Sequence, residues 1–314
     1  MQNNLLSFPS IINLGIIRGI CHCNCVHCPI GLTHQDIRKR MFGNLEINVN
    51  TFRRFCEEIV RHETTVRLHG VGEPTLHSQF PKLLEILHQL NLKTKFWLFT
   101  DGLFPTHLIP QLIRAVGIIE FSINSTNKQD YLATKGIDAF ERVNNNIYQM
   151  RDFVKSIDAS TRIVLTRVKS KFEIDNEFIE FWTAEGFECF IRSYHTYSGI
   201  LESRGINTPE SLRNLPKCLV PWKRSNFDGT LLQDKLVAVT CFNILFQHPS
   251  LIPENYKMGI FPDSSLIDIW NSLVFTEFRN KLEQNKITDT VCDTCSECMT
   301  NSGPRAENLL RKTF

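Results

Sequence analysis

The sequence has 314 residues, of which 42% are hydrophobic and 22% charged, so it is long enough for one large or two smaller folded domains and is not mainly disordered. Its 35 Lys and Arg residues nearly balance 33 Asp and Glu residues, giving a formal net charge of +2, and this balance indicates neither a nucleic-acid nor a membrane partner. The N-terminus lacks the basic region of a secretion signal, and no apolar run approaches the roughly 18 residues of a membrane span, so we expect a cytoplasmic protein.

Six short runs rich in β-branched and aromatic residues predict strands in the first two thirds of the chain. Between them lie longer stretches whose apolar residues recur every three or four positions, as in helices that pack on a sheet. The predicted strands cover 12–16, 66–70, 94–100, 118–123, 162–166 and 187–193, and the predicted helices cover 51–63, 80–90, 107–116, 139–150 and 177–186. This alternation predicts an α/β fold with parallel strands, in a sheet that is open or closed into a partial barrel.

The regular alternation stops after Tyr197, and a segment rich in Pro, Asn and Ser follows. We therefore place a domain boundary near residue 205, which divides the chain into 1–205 and 206–314. The second region has a predicted hairpin at 227–242, one amphipathic helix at 265–284, a cysteine-rich tail and a short terminal helix at 304–314. Because its apolar periodicity is too slight for a large independent core, we expect bound metal to stabilise it.

Eleven cysteines without a secretion signal are expected to be metal ligands or reactive thiols rather than disulfides. Cys21, Cys25 and Cys28 form a CxxxCxxC pattern in the loop after the first predicted strand. Three thiolates leave one iron of a [4Fe-4S] cube open to a chelating ligand, whereas structural zinc takes four closed ligands. A zinc knuckle is the alternative, and the further ligands available to it are His22, Cys23 and His27.

Polar and glycine-containing motifs follow the later predicted strands where those strands end. They are Gly72-Glu73-Pro74, Thr100-Asp101-Gly102, the pair Ser122 and Asn124, and Arg192. The carboxyl ends of parallel strands meet at one edge, so these residues are expected to lie together on one rim. Taken singly, each motif also fits an ordinary turn or surface position.

The order of these motifs along almost the whole chain resembles the radical S-adenosylmethionine (SAM) superfamily. The resemblance implies a partial (β/α)6 TIM-like barrel whose catalytic [4Fe-4S] cluster is bound by Cys21, Cys25 and Cys28. In that family the open iron chelates the amino and carboxylate groups of SAM, and the reduced cluster cleaves SAM to a 5'-deoxyadenosyl radical. This radical then abstracts a hydrogen atom from the substrate.

The resemblance also implies which residues contact SAM. His27 is placed near the adenine, and Gly72, Glu73 and Pro74 near the methionine amino group. Ser122 and Asn124 are placed near the carboxylate or ribose, and Arg192 near the carboxylate. Three positions depart from the family pattern, with Val71 in place of a glycine, Asp101 in place of an asparagine and Asn124 in place of an aspartate.

Cys218, Cys241, Cys292 and Cys295 are two separated cysteines followed by a CxxC pair, enough to close a second cube. Zinc bound by the same four thiolates is the alternative. Their order, with a tryptophan-bearing helix between the second and third cysteines, resembles the SPASM domain or the shorter twitch domain, and it implies one auxiliary [4Fe-4S] cluster. Cys298 is an alternative ligand, a spare thiol or a hydrogen-atom donor.

The resemblance implies oxidation or epimerisation of a small metabolite such as an aminoglycoside-like sugar, with an external electron donor such as flavodoxin or ferredoxin. A ribosomal-peptide maturase is the alternative within the family, so the expected partner is a small-molecule or peptide substrate. Two hypotheses from other classes are an iron-sulfur electron carrier and a zinc-stabilised binding module. Neither hypothesis explains Gly72-Glu73-Pro74 after the second predicted strand or Ser122 and Asn124 at the end of the fourth.

Overall fold

The computed structural model describes residues 7–192, 195, 197, 218, 220–284, 286 and 292. Its strands are β1 Ile11–Arg18, β2 Leu45–Glu46, β3 Thr65–Val71, β4 Phe96–Thr100, β5 Ile118–Phe121, β6 Arg162–Val168, β7 Glu188–Arg192, β8 Arg224–Leu232, β9 Lys235–Val239 and β10 Lys257–Phe261. Its helices are α1 Gln35–Phe42, α2 Val49–Ile59, α3 Phe80–Gln89, α4 Ile109–Ala115, α5 Lys128–Lys135, α6 Phe140–Ser156, α7 Phe172–Ala184, α8 Val220–Lys223, α9 Leu266–Trp270 and α10 Leu273–Glu283. No helix in these ranges is long and apolar enough to cross a membrane.

One sheet contains all ten strands, in the order β10-β9-β8-β1-β3-β4-β5-β6-β7, with β2 paired to β1. The six strands predicted from the sequence are β1 and β3 to β7, and each pairs in parallel with the next. Within the described ranges no pairing joins β7 to β10, so the barrel is partial, as predicted.

The strands alternate between two faces. On β1 and β3 the side chains of Ile12, Leu14 and Leu68 belong to the main apolar core beneath the helices, whereas Asn13 and Arg67 line a cavity inside the barrel. Asn13 lies opposite Arg67 in the β1–β3 register, so polar positions of neighbouring strands meet on the inner face. This period of two explains why apolar and polar residues alternate in these strands.

β8, most of which the sequence predicted as one strand of a hairpin, is also a seventh strand of the parallel sheet, and this parallel pairing was not predicted. It pairs with β1, with Ile11 opposite Arg224 and Asn13 opposite Asn226, and then turns back antiparallel into β9. The predicted hairpin is therefore present, but it extends the barrel sheet. The boundary near residue 205 lies outside the described residues, and the division into two domains stays a prediction.

The single helix predicted at 265–284 is wrong, because two helices occupy this segment. Ser265 caps α9 by accepting a hydrogen bond from the Asp268 amide at 3.2 Å, and Ser272 caps α10 by accepting one from the Phe275 amide at 3.3 Å. A serine whose hydroxyl binds a nearby amide favours a new helix start over continuation. The terminal helix predicted at 304–314 lies outside the described residues.

Candidate active site

The loop that follows β1 contains Cys21, Cys25 and Cys28, and two elements hold it. The C-terminal end of α5 accepts hydrogen bonds from it, since the Asn24 amide lies 2.8 Å from the Lys135 carbonyl oxygen. From the other side, the buried Arg38 of α1 donates to the carbonyls of Cys21 and Cys23, both at 3.3 Å. The loop backbone is thus fixed from both sides, with its thiols towards the barrel cavity.

Cys21, Cys23, Cys25 and Cys28 all line this cavity, and none forms a disulfide. Among the residues that the structure describes, no three Cys, His, Asp or Glu side chains converge on one point as ligands of a single metal ion would. Three thiolates at one cavity suit a [4Fe-4S] cube whose fourth iron is left for a chelating ligand, whereas structural zinc takes four closed ligands.

The Glu73 carboxylate ties the end of β3 to the end of β4. It accepts hydrogen bonds from the Thr75 hydroxyl at 2.8 Å, the Thr100 hydroxyl at 2.8 Å and the Asp101 amide at 2.6 Å. Burial, and next the charge of Asp101, raise the pKa of Glu73 to about 7. Its side chain therefore holds the two strand ends together at the rim, where Gly72, Glu73 and Pro74 line the cavity.

Gly72 is held close to the cysteine loop. A Cβ on Gly72 would clash with the carbonyl oxygen of Ile20, the residue directly before Cys21. The Glu73 amide also donates to this carbonyl at 2.8 Å. Close backbone approach is thus the reason for a glycine here.

Asp101, one of the three departures from the expected family pattern, forms a contact that the sequence did not indicate. Its carboxylate lies 2.9 Å from His22 Nδ1 and accepts a hydrogen bond from the Leu103 amide at 2.9 Å. Burial lowers the pKa of His22, but the hydrogen bond to Asp101 and the charges of Asp101 and Glu73 together outweigh it, so the net shift of the pKa is upward. Asp101 at this position therefore gives His22, which lies in the cysteine loop, a hydrogen-bond partner.

Ser122 and Asn124 separate at the end of β5. Ser122 lines the cavity, whereas Asn124 is buried in a left-handed conformation with φ +63°. Asn124 Oδ1 accepts a hydrogen bond from the Val168 amide at 2.7 Å, and its carbonyl accepts one from Arg167. Asn124 thus shapes the β5–β6 junction, and its predicted contact with SAM stays untested.

Arg192, at the end of β7, also lines the cavity. Its Nη1 lies 3.5 Å from Glu120 Oε1, which also accepts a hydrogen bond from the Thr166 hydroxyl at 3.0 Å. Glu120 is fully buried, and this burial raises its pKa although Arg192 and Arg67 favour the charged form.

The cavity has a volume of about 250 Å³ and brings together most of the predicted site. The predicted residues that line it are Cys21, Cys25, Cys28, His27, Gly72, Glu73, Pro74, Ser122 and Arg192. Their convergence agrees with the expectation that strand ends of a parallel sheet meet at one rim.

Lys135 is a cavity residue that sequence reasoning missed. It is 2% exposed, and among the described residues no carboxylate or carbonyl accepts a hydrogen bond from its ammonium group. A lysine in the last turn of a short helix is ordinarily a solvated partner of the helix dipole, so the sequence contained no signal for its burial.

Three of the C-terminal cysteines, Cys218, Cys241 and Cys292, lie among the described residues and are partly buried. Cys241 packs with Cys21 and Cys28 around one apolar cluster. The buried members of this cluster are Ile30, Phe42, Val71, Val237, Val239, Ile244, Leu245, Phe246 and Ile252. The loop after β1 and the segment after β9 therefore share a core. Cys295 and Cys298 lie outside the described residues.

Residues 237–299 match the family model of the SPASM iron-sulfur cluster-binding domain. This range contains Cys241, Cys292, Cys295 and Cys298 but not Cys218. A search of the curated proteins finds no significant match.

Solved structures share the fold at low sequence identity. BtrN in complex with AdoMet and 2-DOIA is 14% identical with a TM-score of 0.54, over 94% of both chains. SuiB of Streptococcus suis bound to precursor peptide SuiA is 13% identical with a TM-score of 0.64, over 88% of this chain and 68% of that one. The protein anSMEcpe with bound AdoMet is 12% identical with a TM-score of 0.59, over 92% of this chain and 88% of that one.

Proposed function

We propose that this chain, which shares the fold of radical SAM enzymes and has a SPASM-type C-terminal region, cleaves SAM reductively and abstracts a hydrogen atom from a substrate in the barrel cavity. The family match and the shared fold confirm the predicted resemblance to radical SAM enzymes of the SPASM type. The observation behind the proposal is that Cys21, Cys25 and Cys28 face one cavity together with the strand-end residues Gly72 and Ser122.

The residues present fit the two cofactors. Thiolates are the ligands that iron-sulfur clusters take, and three of them leave the fourth iron for SAM. The buried ammonium group of Lys135 fits a neighbouring anion, because a buried cation costs free energy unless it is paired. When bound, SAM on the reduced cluster supplies the 5'-deoxyadenosyl radical.

The chain's own residues bind SAM and orient the substrate. Ser122, Lys135 and Arg192 offer donors for the SAM carboxylate, and His27 offers a ring face for the adenine. Gly72 presents backbone at the rim, where Glu73 holds the strand ends in place. These groups position a substrate C–H bond against the cofactor, which supplies the chemistry.

The C-terminal region is proposed to bind one auxiliary [4Fe-4S] cluster through Cys218, Cys241, Cys292 and Cys295. The family match to an iron-sulfur cluster-binding domain supports this role. An auxiliary cluster bound by Cys241 would lie near the cavity, because Cys241 packs against the same apolar residues as Cys21 and Cys28. Cys298 remains the proposed donor of a hydrogen atom in an epimerisation, and an external donor such as flavodoxin or ferredoxin would supply the electron.

The substrate is proposed to be a small molecule, with a peptide as the second candidate. BtrN was solved with 2-DOIA, whereas SuiB was solved with a precursor peptide and anSMEcpe with the Cp18Cys peptide. The match to BtrN extends over 94% of both chains, whereas the match to SuiB covers 68% of SuiB, and this favours the small molecule.

The test is anaerobic reconstitution with iron and sulfide, iron counting, and incubation with dithionite and SAM. About eight irons per chain and formation of 5'-deoxyadenosine are expected. Cys25→Ala should abolish 5'-deoxyadenosine formation, while Cys56→Ala, a buried thiol on α2 outside the site, should retain it. Bound zinc without cleavage would refute the radical SAM assignment and favour the binding module.

A further inference from the structure

The loop that contains Cys21, Cys25 and Cys28 is also part of the protein surface. Val26, between the second and third of these cysteines, is 46% exposed, whereas Cys25 and Cys28 line the cavity. The loop therefore faces solvent on one side and the cavity on the other. Electron transfer slows steeply as the distance between redox centres grows, and an electron from outside the chain has a short route across Val26 to a cluster in this cavity.

Exposed apolar side chains surround this loop. The connection from β1 to β2 exposes three of them, and α5, against which the loop packs, exposes a fourth. They are Val26, Leu32, Met41 and Leu132. The Val26 amide donates to the Thr134 carbonyl oxygen of α5 at 3.1 Å, so the exposed part of the loop lies against the helix that carries Leu132. Several exposed apolar side chains in one region indicate a surface for another protein.

The same region is basic. Between β1 and β2 the chain has three cations, Arg38, Lys39 and Arg40, and one acid, Asp36. This short connection therefore has the same excess of positive charge as the entire chain, whose formal net charge is +2. Asp36 lies 3.2 Å from His34. Lys39 and Arg40 are exposed, and no carboxylate among the described residues pairs with either.

The acids of the neighbouring elements have other partners. They are Asp130 with Arg167 at 2.8 Å, Asp138 with Lys128 at 3.0 Å, and Glu46 with the Ser78 amide at 2.9 Å. Lys39 and Arg40 are thus available to acidic groups of a partner protein. Complementary charge steers such a partner towards the surface and orients it there.

We propose that the surface formed by Val26, Lys39, Arg40 and Leu132 is the docking site of a small acidic protein that carries one electron. Acidic groups of the carrier contact Lys39 and Arg40, and its redox centre lies over Val26. Apolar contacts with charges at the rim are typical of protein interfaces, and those of electron-transfer partners are small and weak. This inference rests on the proposed function, because it concerns the electron that the same reaction needs.

The test uses the reconstituted holoprotein and flavodoxin, an acidic carrier that NADPH and its reductase keep reduced. Formation of 5'-deoxyadenosine is measured with this carrier and, separately, with dithionite, a small ion that needs no docking surface. Anaerobic isothermal titration calorimetry measures flavodoxin binding directly. The wild type should bind flavodoxin, and more weakly at high salt, because salt screens exposed charges.

The double variant Lys39→Glu/Arg40→Glu should weaken flavodoxin binding, and slow the flavodoxin-dependent reaction at low salt, about tenfold or more, because like charges now oppose the carrier. Its iron content and its rate with dithionite should not change. Leu132→Asp, on a different helix, should also weaken flavodoxin binding, and it serves if the double variant does not fold.

The matched control is Arg61→Glu/Lys155→Glu, which changes the net charge by the same amount. Both residues are exposed. Arg61 follows the end of α2 and Lys155 lies in the last turn of α6, and the strands β3 and β6 begin shortly after them. They therefore lie at the opposite end of the barrel from the cysteine loop. This control should bind flavodoxin as the wild type does.

Unchanged flavodoxin binding in both Lys39→Glu/Arg40→Glu and Leu132→Asp would overturn the proposal, as would an equal loss in the control. A holoprotein dimer that Leu132→Asp dissociates would also overturn it, because a second copy of the chain would then occupy the surface. A wild type that cleaves SAM with dithionite but does not bind flavodoxin refutes only the acidic carrier. A protein that cleaves SAM with neither electron donor refutes the radical SAM function.

Discussion

The guanidinium of Arg18 lies 2.9 Å from the carboxylate of Asp228, and both side chains are fully buried. Arg18 also donates to the Thr230 hydroxyl at 2.9 Å and to the carbonyls of Leu245 and Gln247. This one side chain at the end of β1 thus binds the β8–β9 hairpin and the segment that follows Cys241. The buried pair therefore joins the end of β1, which leads directly into the loop of the first cysteine cluster, to the C-terminal region.

Asp228→Ala should lower the free energy of unfolding by about 3–5 kcal/mol, because it leaves the Arg18 charge buried and unpaired. The matched control is Asp263→Ala, which breaks the half-exposed Lys235–Asp263 pair at 2.6 Å. That change should cost less than about 1 kcal/mol. Urea unfolding measures both, and equal effects of the two substitutions would contradict the structural role of the buried pair.

Arg38→Gln should loosen the loop of Cys21, Cys25 and Cys28, since it removes donors to the Cys21 and Cys23 carbonyls. We expect loss of about four irons per chain after reconstitution, as for one cube. Arg40→Gln, on an exposed position of the same helix, is the control and should keep the full iron content. Full iron content in Arg38→Gln would show that cluster binding by the loop does not depend on the Arg38 hydrogen bonds.

Gly72→Ala should reduce the rate of 5'-deoxyadenosine formation about tenfold or more, because the added Cβ pushes the rim away from the Ile20 carbonyl. The control is Gly186→Ala, where no heavy atom lies within 4 Å of the new Cβ and φ is +83°. This control should lose roughly 1 kcal/mol of stability and keep SAM cleavage. Wild-type cleavage rates in Gly72→Ala would contradict the close approach at the rim.

His69 should make the protein less stable in mild acid. Burial, and next the charge of Arg67, lower its pKa well below the usual value of 6.5; Arg192, His195 and Arg224 act in the same direction. As the pH falls below about 6.5, the unfolded chain takes up a proton that folded His69 excludes, so stability is lost by up to about 1.4 kcal/mol per pH unit.

His69→Phe should therefore lose less stability than the wild type between pH 7.5 and 5.5, as measured by urea unfolding at each pH. His88→Phe, at an exposed position on α3, should lose as much as the wild type. A wild-type pH dependence in His69→Phe would mean that this imidazole takes up its proton as readily in the folded chain.

Local patterns in the sequence were enough to predict the six parallel strands, five of the seven described helices between them and the rim on which the strand-end motifs converge; α1 and α5 were not predicted. Each of these predictions depends on the periods of two and 3.6 residues or on the spacing of cysteines within one loop. Helix boundaries were less predictable, because the break between α9 and α10 depends on which way the Ser272 hydroxyl bonds. The sequence also could not show that Ser122 lines the cavity while Asn124 turns away from it, because this difference depends on the left-handed backbone conformation of Asn124.

The sequence by itself was enough to predict the candidate site, because three cysteines in one short loop and a glycine motif after a strand are local features. Only the tertiary structure decided which other residues line the cavity beside the candidate site. Arg67 and Arg224 lie more than 150 positions apart along the chain and meet because β8 returns to pair with β1. Strand pairing over such distances depends on packing of the whole sheet, and no local period of hydrophobicity encodes it. The set of residues that lines the cavity is therefore a property of the folded chain.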